Sequence, residues 1–116
     1  ALGAIPPALA SETAPFTQAA FDAAIKAGRS VLVEVHAPWC PTCKAQQPIL
    51  SELAGQPRFR DLLIYKVDFD TQKDALRHLR VQNQSTLIVF KGGAEVGRSV
   101  GDTSPTSINA LLSRAI

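Results

Sequence analysis

The chain's only two cysteines stand three positions apart, inside the stretch "APWCPTCK" at residues 37–44. Two thiols at that spacing can exchange with a disulfide, supply half of a metal site, or staple a short loop. The staple explains little. Closing so short a loop removes only about 2 kcal/mol of unfolded-chain entropy, less after strain, and a 116-residue domain builds a core without it. A tetrahedral metal site wants four ligands, and the other candidates are His36, close by, and His78, far along the chain. No metal is expected. The redox reading fits best: it puts Cys40 at the N-cap of a helix with Pro41 at the first helical position, where a missing N–H costs nothing. Free backbone N–H groups and the helix dipole then favour a Cys40 thiolate. Cys43 follows one turn on, near enough to attack, and Thr42 is placed to donate a hydroxyl hydrogen bond to the Cys40 sulfur. Cys40 reads as an exposed nucleophile, Cys43 as the deeper resolving thiol.

A strand must deliver this pair and a helix must carry it. "SVLVEVHA" (30–37) is apolar except for Glu34 and His36, as a central strand buried on both faces is. "KAQQPILSELA" (44–54) reads as the helix, with a kink at Pro48. Upstream, Thr17 caps a helix through Ala27, with Phe16, Phe21, Ala24 and Ile25 on one stripe and Gly28 as its stop. Downstream, 62–70 is a second buried strand and 71–79 a short helix capped by Asp70 or Thr71. Residues 85–101 form a hairpin about Gly92-Gly93, which is turn chemistry and not a phosphate loop. Ser104 and Pro105 open a last helix with Ile108, Leu111 and Leu112 on one face. The order α-β-α-β-α-β-β-α predicts an α/β fold: a central mixed sheet, parallel strands plus a closing antiparallel hairpin, with helices on both faces.

Composition narrows the function. Hydrophobic residues make up 46% and charged residues 19% of the chain, as in a folded domain and not a disordered one. The net charge of +2 is spread without a basic stripe, so no nucleic-acid partner is expected. No apolar run approaches the roughly 20 residues of a membrane span. Residues 1–14 are expected to be a disordered leader remnant or linker, and 15–116 the domain. Ala8-Leu9-Ala10 before the polar Ser11 has the pattern of an export signal cleaved after Ala10. The expectation is a bacterial periplasm, with the chain soluble or N-terminally anchored; a cytoplasmic location is the alternative.

Two charges stand inside apolar strands. An ionised Glu34 is costly there, and Lys66, embedded in "LLIYKVDFD", is its natural partner on a neighbouring strand. The pair is either a structural ion pair or a base, Glu34, that takes the Cys43 proton with help from Lys66. His36 can titrate near neutral pH and tune the cysteines, or simply be a half-buried polar group. Trp39 either shapes a docking surface or packs on the strand end, and Lys44 reads as solvated.

At "VLVEVHAPWCPTCKAQQPIL" and "STLIVFKGGAEVGRSVG" the chain resembles the thioredoxin family, over about residues 16–116. The resemblance implies a dithiol–disulfide oxidoreductase that works through a mixed disulfide, with the Cys40–Cys43 pair as its redox group and no other cofactor. It makes Cys40 the attacking and Cys43 the resolving cysteine, and Glu34 and Lys66 their catalytic support. Trp39, Pro41, Thr42, Ser85 and Gly101 become the substrate-binding set, and Pro48 the kinking proline. Three departures stand out: Glu34 where the family has a buried aspartate, His36 where it commonly has an aromatic residue, and Ser85 where it has a cis-proline. A cis bond before serine costs about 3–4 kcal/mol, against about 0.5–1 before proline. A trans Gln84–Ser85 bond is therefore expected, with the Ser85 hydroxyl toward the cysteines and broad substrate docking weakened.

The function expected on these grounds is reduction of protein disulfides by a monomer. A redox donor protein, soluble or membrane-bound, restores the dithiol, since the chain has no nucleotide-binding motif. The rivals are a non-catalytic module that holds a client or metal through the cysteines, and a disulfide-forming oxidase.

Overall fold

A computed structural model describes residues 11–116. In chain order the elements are β1 (Glu12–Pro15), α1 (Gln18–Lys26), β2 (Val31–His36), α2 (Pro41–Ala54), a 3-10 turn (Pro57–Phe59), β3 (Leu63–Asp68), α3 (Lys73–Leu79), β4 (Thr86–Lys91), β5 (Ala94–Val100) and α4 (Pro105–Ser113). The sheet order is β1-β3-β2-β4-β5, with β1, β3 and β2 parallel and β4 and β5 antiparallel. This is the predicted mixed sheet, with β2 at its centre.

The alternation of β2 determines what lies beneath the cysteines. Val31, Val33 and Val35 enter one apolar layer with Phe21 and Ala24 of α1 and Leu76 and Leu79 of α3. Leu32 enters the opposite layer with Leu50 and Leu53 of α2 and Ile108 and Leu112 of α4. Side chains two apart on a strand share a face, so Glu34 and His36 fall on the α2 side. In β3, Ile64 belongs to that same layer, and Lys66 follows it. The parallel register sets Glu34 against Lys66 and His36 against Asp68. Sheet geometry alone therefore gathers Glu34, His36 and Lys66 under the helix that begins at the cysteines.

Local rules place most helix ends. The Thr17 hydroxyl accepts from the Ala20 N–H at 3.2 Å, and Ser104 caps α4 through the Ser107 N–H at 3.3 Å. The helix α2 runs on through Pro48 to Ala54.

Two expectations are corrected. The domain does not start at residue 15: Glu12–Pro15 pairs with β3 as an edge strand, and the Ser11 N–H and hydroxyl both donate to the Ala54 carbonyl. "ETAP" lacks an apolar alternation because this strand is held by backbone pairing and is mostly exposed. The cleavage pattern at Ala8-Leu9-Ala10 lies outside the described residues. Nor is α3 capped by Asp70 or Thr71; its N-cap is Gln72, with no side-chain capping bond. The Gln72 amide instead accepts from the Asp68 N–H and donates to the Phe16 carbonyl, each at 2.9 Å, tying α3 to the sheet.

Thr17→Ala removes the cap of α1 and is expected to lower stability by about 1 kcal/mol. A urea titration reads this as a lower midpoint at unchanged slope; an unmoved midpoint would show that tertiary packing alone fixes the start of α1.

Candidate active site

Cys40 is the N-cap of α2 and Pro41 its first residue, as the sequence predicts. The Cys40 sulfur accepts from the Cys43 N–H at 3.1 Å. Both cysteines are free thiols. The predicted exposure is reversed, however: Cys40 is 1% exposed and Cys43 6%. Both sulfurs pack with Ala37 and Phe69, and Ser85 closes over them, its Oγ 3.3 Å from the Cys40 sulfur and 2.9 Å from the Cys43 sulfur. The opening lies on the Cys43 side, where His36, Pro38, Cys43, Lys44, Pro48 and Lys66 line a groove of about 560 Å³.

Burial raises the Cys40 thiol, but hydrogen bonds outweigh it. The Cys43 thiol, the Ser85 hydroxyl, the Cys43 N–H and, least, the Gln84 side chain bring Cys40 down to about 7. Burial and the bond to Cys40 push Cys43 the other way. Near neutral pH the negative charge that the pair gains therefore sits on Cys40, while Cys43 keeps its proton. Thr42, expected to serve the Cys40 sulfur, is not among the groups that do.

Ser85 is held from three sides. No peptide bond among the described residues is cis, so Gln84–Ser85 is trans as expected, and Ser85 has φ +61. That left-handed conformation costs a non-glycine residue about 1–2 kcal/mol. Its N–H donates to the Val35 carbonyl at 2.8 Å, and its carbonyl accepts from the Gly101 N–H at 3.0 Å. Gly101 itself has φ +72, a conformation suited to glycine. The third anchor is Gln46, whose buried amide donates to the Ser85 carbonyl at 3.2 Å and to the Asp102 carbonyl at 2.8 Å. Sequence reasoning missed Gln46. Its signal was a polar residue one turn past Cys43, on the face that buries Leu50 and Leu53.

Glu34 is 4% exposed; burial pushes its carboxyl up, and Lys66 opposes this in part. The two face each other in register yet form no salt bridge; those among the described residues are Arg77–Asp74 and Arg98–Glu95. Lys66 shares the groove with Cys43, whereas Glu34 does not line it. Burial, then Lys66, holds His36 below the usual histidine range, against Asp68 and Asp70. Trp39 is 55% exposed, with its indole N–H on both Asp70 carboxylate oxygens at 2.9 and 3.1 Å and its ring edge-on to Phe69. Pro41 is exposed and Thr42 half-buried beside it. No cluster of three or more His, Cys, Asp or Glu side chains among the described residues is placed to hold a metal ion.

The family model described as Thioredoxin matches residues 12–114. A thioredoxin of Mycobacterium tuberculosis is 36% identical over 107 residues, 91% of each chain. A bifunctional thioredoxin reductase/thioredoxin of Mycobacterium leprae is 38% identical over 108 residues, covering 92% of this chain and 23% of that one. Among solved structures, Trxlp from Edwardsiella tarda superposes with a TM-score of 0.84 at 50% identity, covering 87% of this chain and 98% of that one.

The buried carboxyl carries a pH signature. A carboxyl raised on folding favours the folded state at low pH, and that contribution is lost as pH rises through its folded value. Glu34→Gln avoids the loss. It is expected to raise the unfolding temperature by a few degrees at pH 8 and by little at pH 4, near the ordinary carboxyl value of about 4.3. Thermal scans at the two pH values check it; an equal shift at both would mean that Glu34 ionises at no cost.

Proposed function

The chain belongs to the thioredoxin family and is a thiol–disulfide oxidoreductase that reduces protein disulfides; we propose that Cys40 opens each exchange and Cys43 closes it. The observation that carries this order is the hydrogen bonding of the Cys40 sulfur by the Cys43 N–H and Ser85. The Cys40 thiolate attacks a substrate disulfide, one substrate sulfur leaves and takes a proton, and a mixed disulfide remains. The Cys43 sulfur then attacks the Cys40 sulfur, releasing the second substrate thiol and leaving a Cys40–Cys43 disulfide. The cysteine pair is the redox group, and a reductase-type donor restores the dithiol. One polypeptide of the Mycobacterium leprae relative carries both names, reductase and thioredoxin, which supports a protein donor here.

Lys66 and Glu34 support the second step. Both lie on the α2 side of the sheet, and Lys66 opens onto the groove beside Cys43. A cation there favours a Cys43 thiolate, and a carboxyl with a raised pKa is suited to receive its proton near neutral pH. Trp39, Pro41, Thr42, Ser85 and Gly101 surround the pair as the docking surface, with Val100, 57% exposed, next to Gly101. Because Ser85 covers Cys40, a client must reach the sulfur past it, from the open Cys43 side, and this favours a narrow client range over general reduction. The monomer acts after export: Ala8-Leu9-Ala10 is the supporting pattern, and no helix among the described residues is long and apolar enough to cross a membrane.

Exposure and ionisation oppose each other in the order of attack, so alkylation decides between them. With Cys40 at about 7 and Cys43 raised, iodoacetamide at pH 7 is expected to label Cys40 first. Peptide mapping reads the order, and first label on Cys43 overturns it. Insulin reduction with dithiothreitol is expected to turn over and to fail in Cys40→Ser; stoichiometric binding without turnover would favour the binding module. Expressed from its full-length gene in a bacterium with two membranes, the protein is expected in the osmotic-shock fraction, and recovery with the cytosol would place it inside.

A further inference from the structure

We propose that the Ser85 hydroxyl is a catalytic hydrogen-bond donor that follows the negative charge from Cys40 to Cys43 during exchange, with Gln46 as the residue that positions it. This rests on the Cys40-then-Cys43 order given above. A hydroxyl carries one proton and two lone pairs, and this one stands within hydrogen-bond reach of both reacting sulfurs, 3.3 Å from Cys40 and 2.9 Å from Cys43. It can donate to only one of them at a time.

In the reduced protein the charge is on Cys40. Ser85 donates to that thiolate while its oxygen accepts the Cys43 S–H. Once the Cys40 sulfur enters a mixed disulfide it is neutral and a poor acceptor. Rotation about the Cβ–Oγ bond then turns the proton to the Cys43 sulfur without moving a heavy atom. The Cys43 proton leaves by way of water in the groove that this residue lines, toward the Glu34 base named above, and Ser85 stabilises the thiolate left behind. The Cys43–Cys40 bond forms as the bond from Cys40 to the substrate sulfur breaks. The electron pair leaves on that sulfur, which takes a proton from water. The substrate gains two electrons and the dithiol loses them.

A donor of this kind works only if its oxygen stays between the sulfurs, and the surroundings of Ser85 are built to keep it there. The same helix that carries both cysteines sends Gln46 to the Ser85 carbonyl at 3.2 Å, while Val35 and Gly101 hold the backbone from β2 and the end of β5. Sulfurs and hydroxyl are thereby referred to one element. Gln46 touches neither sulfur and acts through Ser85.

A symmetric aromatic disulfide that releases one coloured thiolate per step separates the two attacks in stopped flow. The first phase depends on reagent concentration and reports Cys40; the second does not and reports Cys43. Ser85→Ala and Ser85→Gly are each expected to slow both phases about tenfold, the equivalent of one pKa unit, and to raise the thiolate-absorbance midpoint. Glycine relieves the left-handed backbone and alanine does not, so equal effects assign the loss to the hydroxyl. A glycine variant as fast as wild type, or a loss confined to one phase, overturns the proposal. Gln46→Met is expected to slow both phases alone and to add nothing in the Ser85→Ala background; an additive loss would leave Gln46 a structural residue only. A wild type without a concentration-independent second phase would instead defeat the order of attack itself, so the two failures are distinguishable.

Discussion

The hydrogen bond from the Cys43 N–H to the Cys40 sulfur is the contact on which the rest of the site depends. A helix N-terminus leaves backbone N–H groups without partners, and a side chain usually supplies one. Here the capping atom is also the reacting atom. Capping therefore improves as the sulfur gains charge, because a thiolate is a better acceptor than a thiol. Stability of the first turn of α2 and reactivity of Cys40 are the same interaction seen from two sides. This places a geometric demand on everything upstream: β2 must end where Cys40 begins, and the intervening Ala37 carbonyl accepts the Cys40 N–H at 3.1 Å to fix that turn.

Burial works against this contact. At 1% exposure a sulfur loses most of its water, and desolvation by itself disfavours a thiolate. The hydrogen bonds to Cys40 more than offset this, since the net displacement is downward, to about 7. Cys43 shows what happens when the balance tips the other way. It has a bond to the Ser85 hydroxyl too, but burial and the bond to Cys40 dominate and the thiol is held up. Neither depth nor cysteine spacing distinguishes the two residues; the direction of the surrounding N–H and O–H groups does.

Features governed by short-range rules were legible in the sequence: the caps at Thr17, Cys40 and Ser104, the buried strand around Glu34, and the turn at Gly92-Gly93. The Glu34–Lys66 register was legible too, because each charge interrupts an apolar strand and only its neighbour can answer it. The features that were not legible depend on backbone partners far along the chain. β1 is held by the edge of β3 and has no side-chain pattern to announce it. Gln46 looks like one more polar helix residue until its amide is seen to join carbonyls 39 and 56 positions away. The trans bond before Ser85 followed from local energetics; its left-handed φ did not, because Val35, Gly101 and Gln46 impose it together. The exposure of Cys40 was misread for the same reason, since the residue that covers it is 45 positions distant.

Electrostatics under α2 link the buried carboxyl to the second half of the reaction. Lys66 answers to three groups: it opposes the upward displacement of Glu34, it helps hold His36 below its usual range, and it faces the groove beside Cys43. Once Glu34 has taken a proton, less of the Lys66 charge is balanced from below. The thiolate left on Cys43 then meets a cation with no competing anion. Were Glu34 to stay ionised, its negative charge would repel the same thiolate. The cost of burying a carboxyl in the central strand is thus borne where a carboxylate that readily takes a proton, beside a cation, favours deprotonation of the resolving cysteine. Register, not contact, enforces this arrangement: strand pairing fixes Glu34 opposite Lys66 without closing the ion pair that would cancel both charges.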